Sequence, residues 1–257
     1  MCLIAWNWQP HSSKPLLLLS NRDEFYARPA MPLHWWGDDN GHGPTILAGK
    51  DLQGGGTWLG LSRSGRLAAL TNYRSADALR SDTPSRGELV AGFLRDDLDA
   101  PTYLLELAGR AADYNPFNLL VYDGRTLMGL ESRGAKLVPL QPGIGAVSNA
   151  DFHTPWPKLT RLSQRLQGQI TRQRTNTPDL LLLLQDPSLA SDETLPHTGV
   201  PIEWERALSA SFIHTAEYGT RACSVLAVHS THATFTEHSF GPQGLLLKNQ
   251  QDFALRP

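Results

Sequence analysis

Short apolar segments, separated by turn residues and arriving in one order, constrain this chain more than any other property. Strand-like runs fill the first seventy residues: Cys2 to Trp8, Leu16 to Ser20, Thr45 to Ala48, Thr57 to Ser62 and Arg66 to Asn72. Ser64-Gly65 joins the last two as a hairpin, and the Pro-, Gly- and Trp-rich stretch 25–43 reads as a long ordered connection placed to cover a site. Helical spacing follows. Ser85-Arg86-Gly87-Glu88 has the capping-box pattern ahead of Leu89, Val90, Phe93 and Leu94, and a second helix is expected from Pro101 through Ala111.

A second strand set runs from Phe117 to Asp123, Thr126 to Glu131, Ala135 to Leu140 and Ile144 to Ser148, with Gly124 turning the first pair. Helices are predicted again over Pro157 to Ile170 and Pro178 to Gln185, where Leu159, Leu162 and Leu166 share one stripe. Strands close the chain at Arg221 to His229, Ala233 to His238 and Leu245 to Leu247. Such blocks bury their apolar faces most simply as two packed sheets flanked by helices, an α+β fold, and 257 residues suit a single domain over 1–257.

Charge narrows the class of partner. With 23 basic and 25 acidic residues and no long run of either sign, nothing points to nucleic acid, and a small-molecule partner is expected. The longest apolar run near the start, Leu16 to Leu19, is too short for a signal sequence or a membrane span, so the sequence predicts a cytoplasmic protein without integral membrane insertion. Cys2 and Cys223 are the only cysteines, and they read as reduced thiols with no zinc-type spacing.

Cys2 carries the sharpest chemical suggestion. Removal of Met1 would leave a thiol and a free α-amine on one residue, and an amine titrating near pH 8 can act as the thiol's own base. Cysteine is equally an ordinary apolar core residue, so other polar groups must decide. Asn21-Arg22-Asp23-Glu24 stands where the apolar run Leu16 to Leu19 ends, a place from which a sheet aims side chains; a solvated turn is the alternative. Asn72 and Asn149 close two strands and have amides able to donate to an oxyanion, although asparagine is also a common turn residue. Arg221 opens a late strand, where it suits a carboxylate or an ion pair. Gly54-Gly55-Gly56 before Thr57-Trp58 permits close backbone packing, and Asp51 after Gly49-Lys50 excludes a phosphate loop.

Five blocks together carry a resemblance. The opening Met-Cys-Leu-Ile, Ser20 to Phe25, Gly54 to Gly60, Leu70 to Arg74, and Ser148-Asn149 with Thr154-Pro155-Trp156-Pro157-Lys158 resemble the transport and Golgi organisation protein 2 family, the NRDE-motif proteins, in order along nearly the whole chain. That family is similar to the N-terminal nucleophile hydrolases, which implies a four-layer αββα sandwich of two antiparallel sheets between helix layers. The cysteine acylases of that group imply catalytic roles for Cys2, Asp23, Asn72, Asn149 and Arg221. Asn21, Arg22, Glu24 and Trp58 would then line the ligand. Those acylases place arginine three residues before the aspartate, whereas Ser20 stands there in this chain and Arg22 adjoins Asp23. The resemblance also implies haem trafficking, or lipid or acyl-coenzyme A metabolism. The expected partner is thus a small amphipathic ligand, haem or an acyl compound, passed to haem-acceptor proteins, with no cofactor required. An N-terminal-cysteine amidohydrolase or acyltransferase is the alternative.

Overall fold

A computed structural model describes residues 2–37, 45–77 and 79–256; Met1 and residues 38–44, which overlap the end of the expected 25–43 connection, lie outside the described residues. In chain order the first strands are β1 (Cys2–Trp8), β2 (Leu16–Phe25), β3 (Ala30–Trp35), β4 (Ile46–Asp51), β5 (Leu59–Ser62) and β6 (Leu67–Asn72). Helices α1 (Gly87–Arg95) and α2 (Ala100–Ala108) lead to β7 (Phe117–Tyr122), β8 (Leu127–Glu131), β9 (Lys136–Pro139) and β10 (Gly143–Val147). Then come α3 (Pro157–Thr171), α4 (Thr177–Leu184), α5 (Ile202–Ala207), β11 (Tyr218–Val228), β12 (His232–Gly241) and β13 (Gly244–Ala254).

The strands form two antiparallel sheets, one of six in the order β10-β1-β2-β11-β12-β13 and one of seven running β3 through β9 in sequence. Strand alternation sorts β1 between two cores. Cys2, Ile4, Trp6 and Trp8 face the second sheet together with Trp58, Leu61 and Leu120, whereas Leu3 and Ala5 face Leu159, Leu162 and Leu180 of α3 and α4. On the far side α1 and α2 cover the seven-stranded sheet through Val90, Phe93 and Leu104. The result is the four-layer αββα sandwich.

Several boundaries depart from the sequence expectations for physical reasons. The 25–43 connection contains β3, whose ladder to β4 is irregular between Met31 and His34 around Pro32, so the short apolar pattern of a strand is broken. Strand β2 runs through Asn21 to Glu24 as far as Phe25, because pairing with β1 on one side and β11 on the other satisfies its backbone. The capping box does not form: Glu88 accepts from the Tyr114 hydroxyl at 2.6 Å, and α1 starts at Gly87 with no side-chain cap. Helix α2 ends at Ala108, and residues 111–113 form a separate 3-10 turn. Helix α5 has no counterpart in the sequence reading, and β13 continues to Ala254 with one face in solvent.

Candidate functional site

Because β2 is extended, Arg22 projects from one face and Asn21 and Asp23 from the other, and the site divides accordingly. Arg22 pairs with Cys2 across the β1–β2 ladder and enters the space between the sheets. There its Nη2 donates to Asp51 Oδ2 at 2.9 Å, and its guanidinium lies 4.4 Å from the centre of the Trp58 ring. Asp51 also takes Arg28 Nε at 2.6 Å, so one carboxylate at the end of β4 anchors two arginines. Trp58 fits only because Gly49 is bare, since a Cβ there would collide with the indole.

Beside this group opens a cleft of about 130 Å³. Arg22, Trp58, Arg221 and Glu237 form its polar part, with Met31, Leu246 and Leu247 among the apolar residues. Glu237 is 1 % exposed; its Oε1 accepts from the Leu33 backbone N–H at 2.8 Å, and Oε2 has no hydrogen-bond partner among the described residues. Burial pushes the Glu237 carboxyl above the usual carboxylate range. Arg221 spans the cleft edge, its Nη1 donating to the carbonyls of Phe25, Tyr26 and Arg28 and its Nε to that of Phe240.

The opposite face of β2 meets a sealed charge cluster. Asp23 Oδ1 accepts from Thr220 Oγ1 at 2.7 Å, and its Oδ2 lies 4.0 Å from Lys158 Nζ. That separation makes an ion pair without a hydrogen bond, and Lys158 Nζ has no hydrogen-bond partner among the described residues. Next to it Arg74 Nη1 donates to Glu205 Oε2 at 2.6 Å while its guanidinium stacks 4.5 Å from the Trp156 ring centre. Burial pulls Lys158 down to about 8, against the opposing pull of Asp23. Burial likewise holds the Cys2 thiol above its ordinary value, with Arg22 acting in the other direction.

The structure sets Cys2 opposite Arg22 and links Asn149 to Cys2 through Ser148, while Asp23 lies on the other face of β2. Ser148 Oγ is 3.1 Å from both the Cys2 carbonyl and Asn149 Oδ1, and Asn149 Nδ2 donates to the Asn72 carbonyl at 2.8 Å. Asn72 thus joins the group through its backbone. Asn21 stands apart: its amide donates to the carbonyls of Leu184 and Ser211 at 2.8 and 2.7 Å, tying β2 to the helix layer. Glu24 sits half-buried at the rim, accepting from the Phe25 N–H and lying 3.9 Å from Arg28 Nε. Cys2 is 6 % exposed, and Arg22 rather than the thiol lines the cleft. Lys158, Arg74, Glu205, Asp51 and Glu237 were not singled out as site residues from the sequence. Lys158 lay within the Thr154 to Lys158 block, next to an apolar helical stripe that makes a lysine look like a surface residue.

This arrangement of layers, with a cysteine opening a central strand, defines an α+β protein of the N-terminal nucleophile hydrolase-like fold. A Cys-to-Ala variant of the conjugated bile acid hydrolase from Clostridium perfringens superposes with a TM-score of 0.55 at 10 % identity, covering 98 % of this chain and 92 % of that one. The chain belongs to the Transport and Golgi organisation 2 family, whose model matches residues 1–242. Among its relatives are the Transport and Golgi organization protein 2 homologs of Bos taurus, 36 % identical, and Homo sapiens, 34 % identical, each alignment covering 93 % of both proteins. No described helix is long and apolar enough to cross a membrane. No group of three or more His, Cys, Asp or Glu among the described residues is placed to hold a metal ion.

Proposed function

We propose that the protein is a cytoplasmic carrier of a small amphipathic ligand, with haem as the first candidate and an acyl compound as the second, handed on to acceptor proteins. The observation that carries this reading is the cleft, where Arg22, Arg221 and Glu237 lie beside an apolar lip of Met31, Leu246 and Leu247. A volume of about 130 Å³ is below the roughly 300 Å³ at which ligand pockets usually begin, so it takes a head group and leaves the rest of the ligand on the lip. Leu246 is 66 % exposed and Leu247 43 %, which gives an apolar body a surface to lie on. A haem propionate or an acyl carboxylate would meet Arg22 as a charge-assisted hydrogen bond, worth about 1.5–3 kcal/mol. Titration with haem should then give a saturable change in the Soret band, with affinity about tenfold weaker in Arg22→Met. Absence of saturation with both haem and a fatty acid would overturn the reading.

A second reading is favoured by the surroundings of Cys2, which faces Arg22 across the β1–β2 ladder and is linked to Asn149 through Ser148. In it Cys2 attacks a small acyl amide, as an N-terminal-cysteine amidohydrolase or acyltransferase would. Electrophilic lactones should label Cys2 covalently, and labelling should vanish in Cys2→Ala. Intact-mass measurement decides the base: a retained Met1 rules out the α-amine of Cys2 in that role.

A further inference from the structure

Glu237 is buried where only one of its two oxygens is satisfied. It reaches from the inner face of β12 to the second sheet, and its Oε1 accepts both the Leu33 N–H of β3 at 2.8 Å and the Ser239 hydroxyl at 3.3 Å. Oε2 has no hydrogen-bond partner among the described residues, and neither does Nη1 of Arg22, which is 5 % exposed. The ladder sets the two residues on one face of the six-stranded sheet: Arg22 stands opposite Ala222, Ala222 opposite Ser239, and Glu237 lies two residues before Ser239 on the same strand. Both line the cleft, and Arg22 forms its ion pair with Asp51 rather than with Glu237. A buried acceptor and a buried donor left open in one small space fit a guest that offers both a donor and an acceptor.

A ligand carboxylate answers only half of that demand. One of its oxygens accepts from Arg22, but the other meets the Glu237 carboxylate, and two like charges crowded out of water do not both stay ionised. A single proton between them removes the repulsion and gives Oε2 its partner. We propose that the cleft binds a carboxylic acid ligand together with one proton from solvent, an O–H···O bond joining Glu237 Oε2 to one ligand oxygen while Arg22 holds the other. Two carboxylates and one H⁺ thus become one acid–carboxylate pair with a single negative charge beside the guanidinium. The proposal rests on the carrier reading and narrows its ligand to an acid, or to a carboxamide, which brings its own N–H. Other groups leave the proton to this pair. Arg221 of β11 is engaged by four carbonyls, Cys223 lies on the helix-facing side of the sheet, and β3 and β13 present to Glu237 the uncharged Leu33 amide and Asn249. Burial raises the proton affinity of Glu237 against the opposing pull of the Leu33 N–H and Arg22, in keeping with this role.

The test is calorimetric titration of the full chain with octanoate and with octanamide from about pH 6 to about pH 9, where octanoate itself stays ionised. Octanoate affinity should fall about tenfold per pH unit over the upper part of that range, and comparison of phosphate with Tris buffer should show about one proton taken up per ligand there. Octanamide affinity should stay level. Glu237→Gln keeps the acceptor for the Leu33 N–H and carries a permanent donor in place of Oε2, so it should bind octanoate with a level profile and, at about pH 9, at least about tenfold more tightly than the parent. Octanoate binding without proton uptake, or a pH slope that persists in Glu237→Gln, would overturn the proposal and leave the carrier reading standing, because the acid is still bound. Should the variant not fold, proton uptake by the parent decides alone. Absence of octanoate binding at every pH also overturns the proposal, and the carrier reading falls with it only if haem gives no saturation either.

Discussion

On the cleft side of β2, Arg22 is 5 % exposed but its partner Asp51 is 15 % exposed, and Arg28, which shares that carboxylate, is 31 % exposed. On the helix side the four charged side chains are all at most 4 % exposed, with Arg74 and Lys158 at 2 %, Glu205 at 4 % and Asp23 at 0 %. The first group grades outward into water, so a ligand can replace solvent there with little rearrangement. The second is closed, and its members are held to a fixed charge count because each unpaired ion in low dielectric costs several kcal/mol. One side is open to exchange with solvent, and the other is closed to it.

The most damaging test of this contrast is Glu205→Gln. It strands Arg74 without its carboxylate and weakens the acceptor for the Thr198 hydroxyl and N–H, so stability measured by urea unfolding should fall by about 3–5 kcal/mol. A loss under about 1 kcal/mol would mean that water reaches the cluster. Second in size is the pH dependence carried by Lys158. Its folded value near 8 lies below the ordinary 10.5, so the folded chain binds fewer protons than the unfolded chain between those limits. Burial of the ammonium therefore destabilises fully below pH 8, and this penalty is relieved as pH rises toward 10. The stability of the parent relative to Lys158→Met should climb over that window by on the order of 3 kcal/mol, and a flat difference curve would place Lys158 in solvent. Smallest is Asp51→Asn on the cleft side, expected to lose about 1–2 kcal/mol. Added salt should shrink that loss, whereas it should leave the Glu205→Gln effect unchanged; equal salt responses would erase the distinction.

Much of the architecture was legible because most strands contain an alternating or continuous apolar run, as in Leu16 to Leu19, and because Pro157 and Pro178 mark helix starts. Helix α5 was not, since Ile202 and Trp204 are partly exposed and only Glu205 of its residues is buried, so it shows no apolar stripe. The reach of β2 through Asn21 to Glu24 was hidden by polarity: four polar residues in a row read as a strand end, and only two flanking strands make them strand interior. The same polarity concealed the division of labour within the motif, although alternation already separates Arg22 from Asp23. Lys158 and Glu205 were out of reach for a different reason. Their burial depends on packing between α3, α5 and the sheet, and a buried lysine has the same letter as a solvated one.

Strand β11 carries one residue more than β2 requires: Thr220 sits opposite Asp23 and Ala222 opposite Arg22, with Arg221 between them unmatched. In a regular strand Thr220 and Ala222 would share a face, yet Thr220 meets Asp23 in the cluster while Ala222 lines the cleft. The unmatched residue thus acts as a change of phase, after which the strand resumes its rhythm on the opposite beat. Deleting that single position would leave Thr220 opposite Asp23 and Ala222 opposite Arg22 in an uninterrupted ladder, and would remove only the guanidinium that gathers the Phe25, Tyr26 and Arg28 carbonyls.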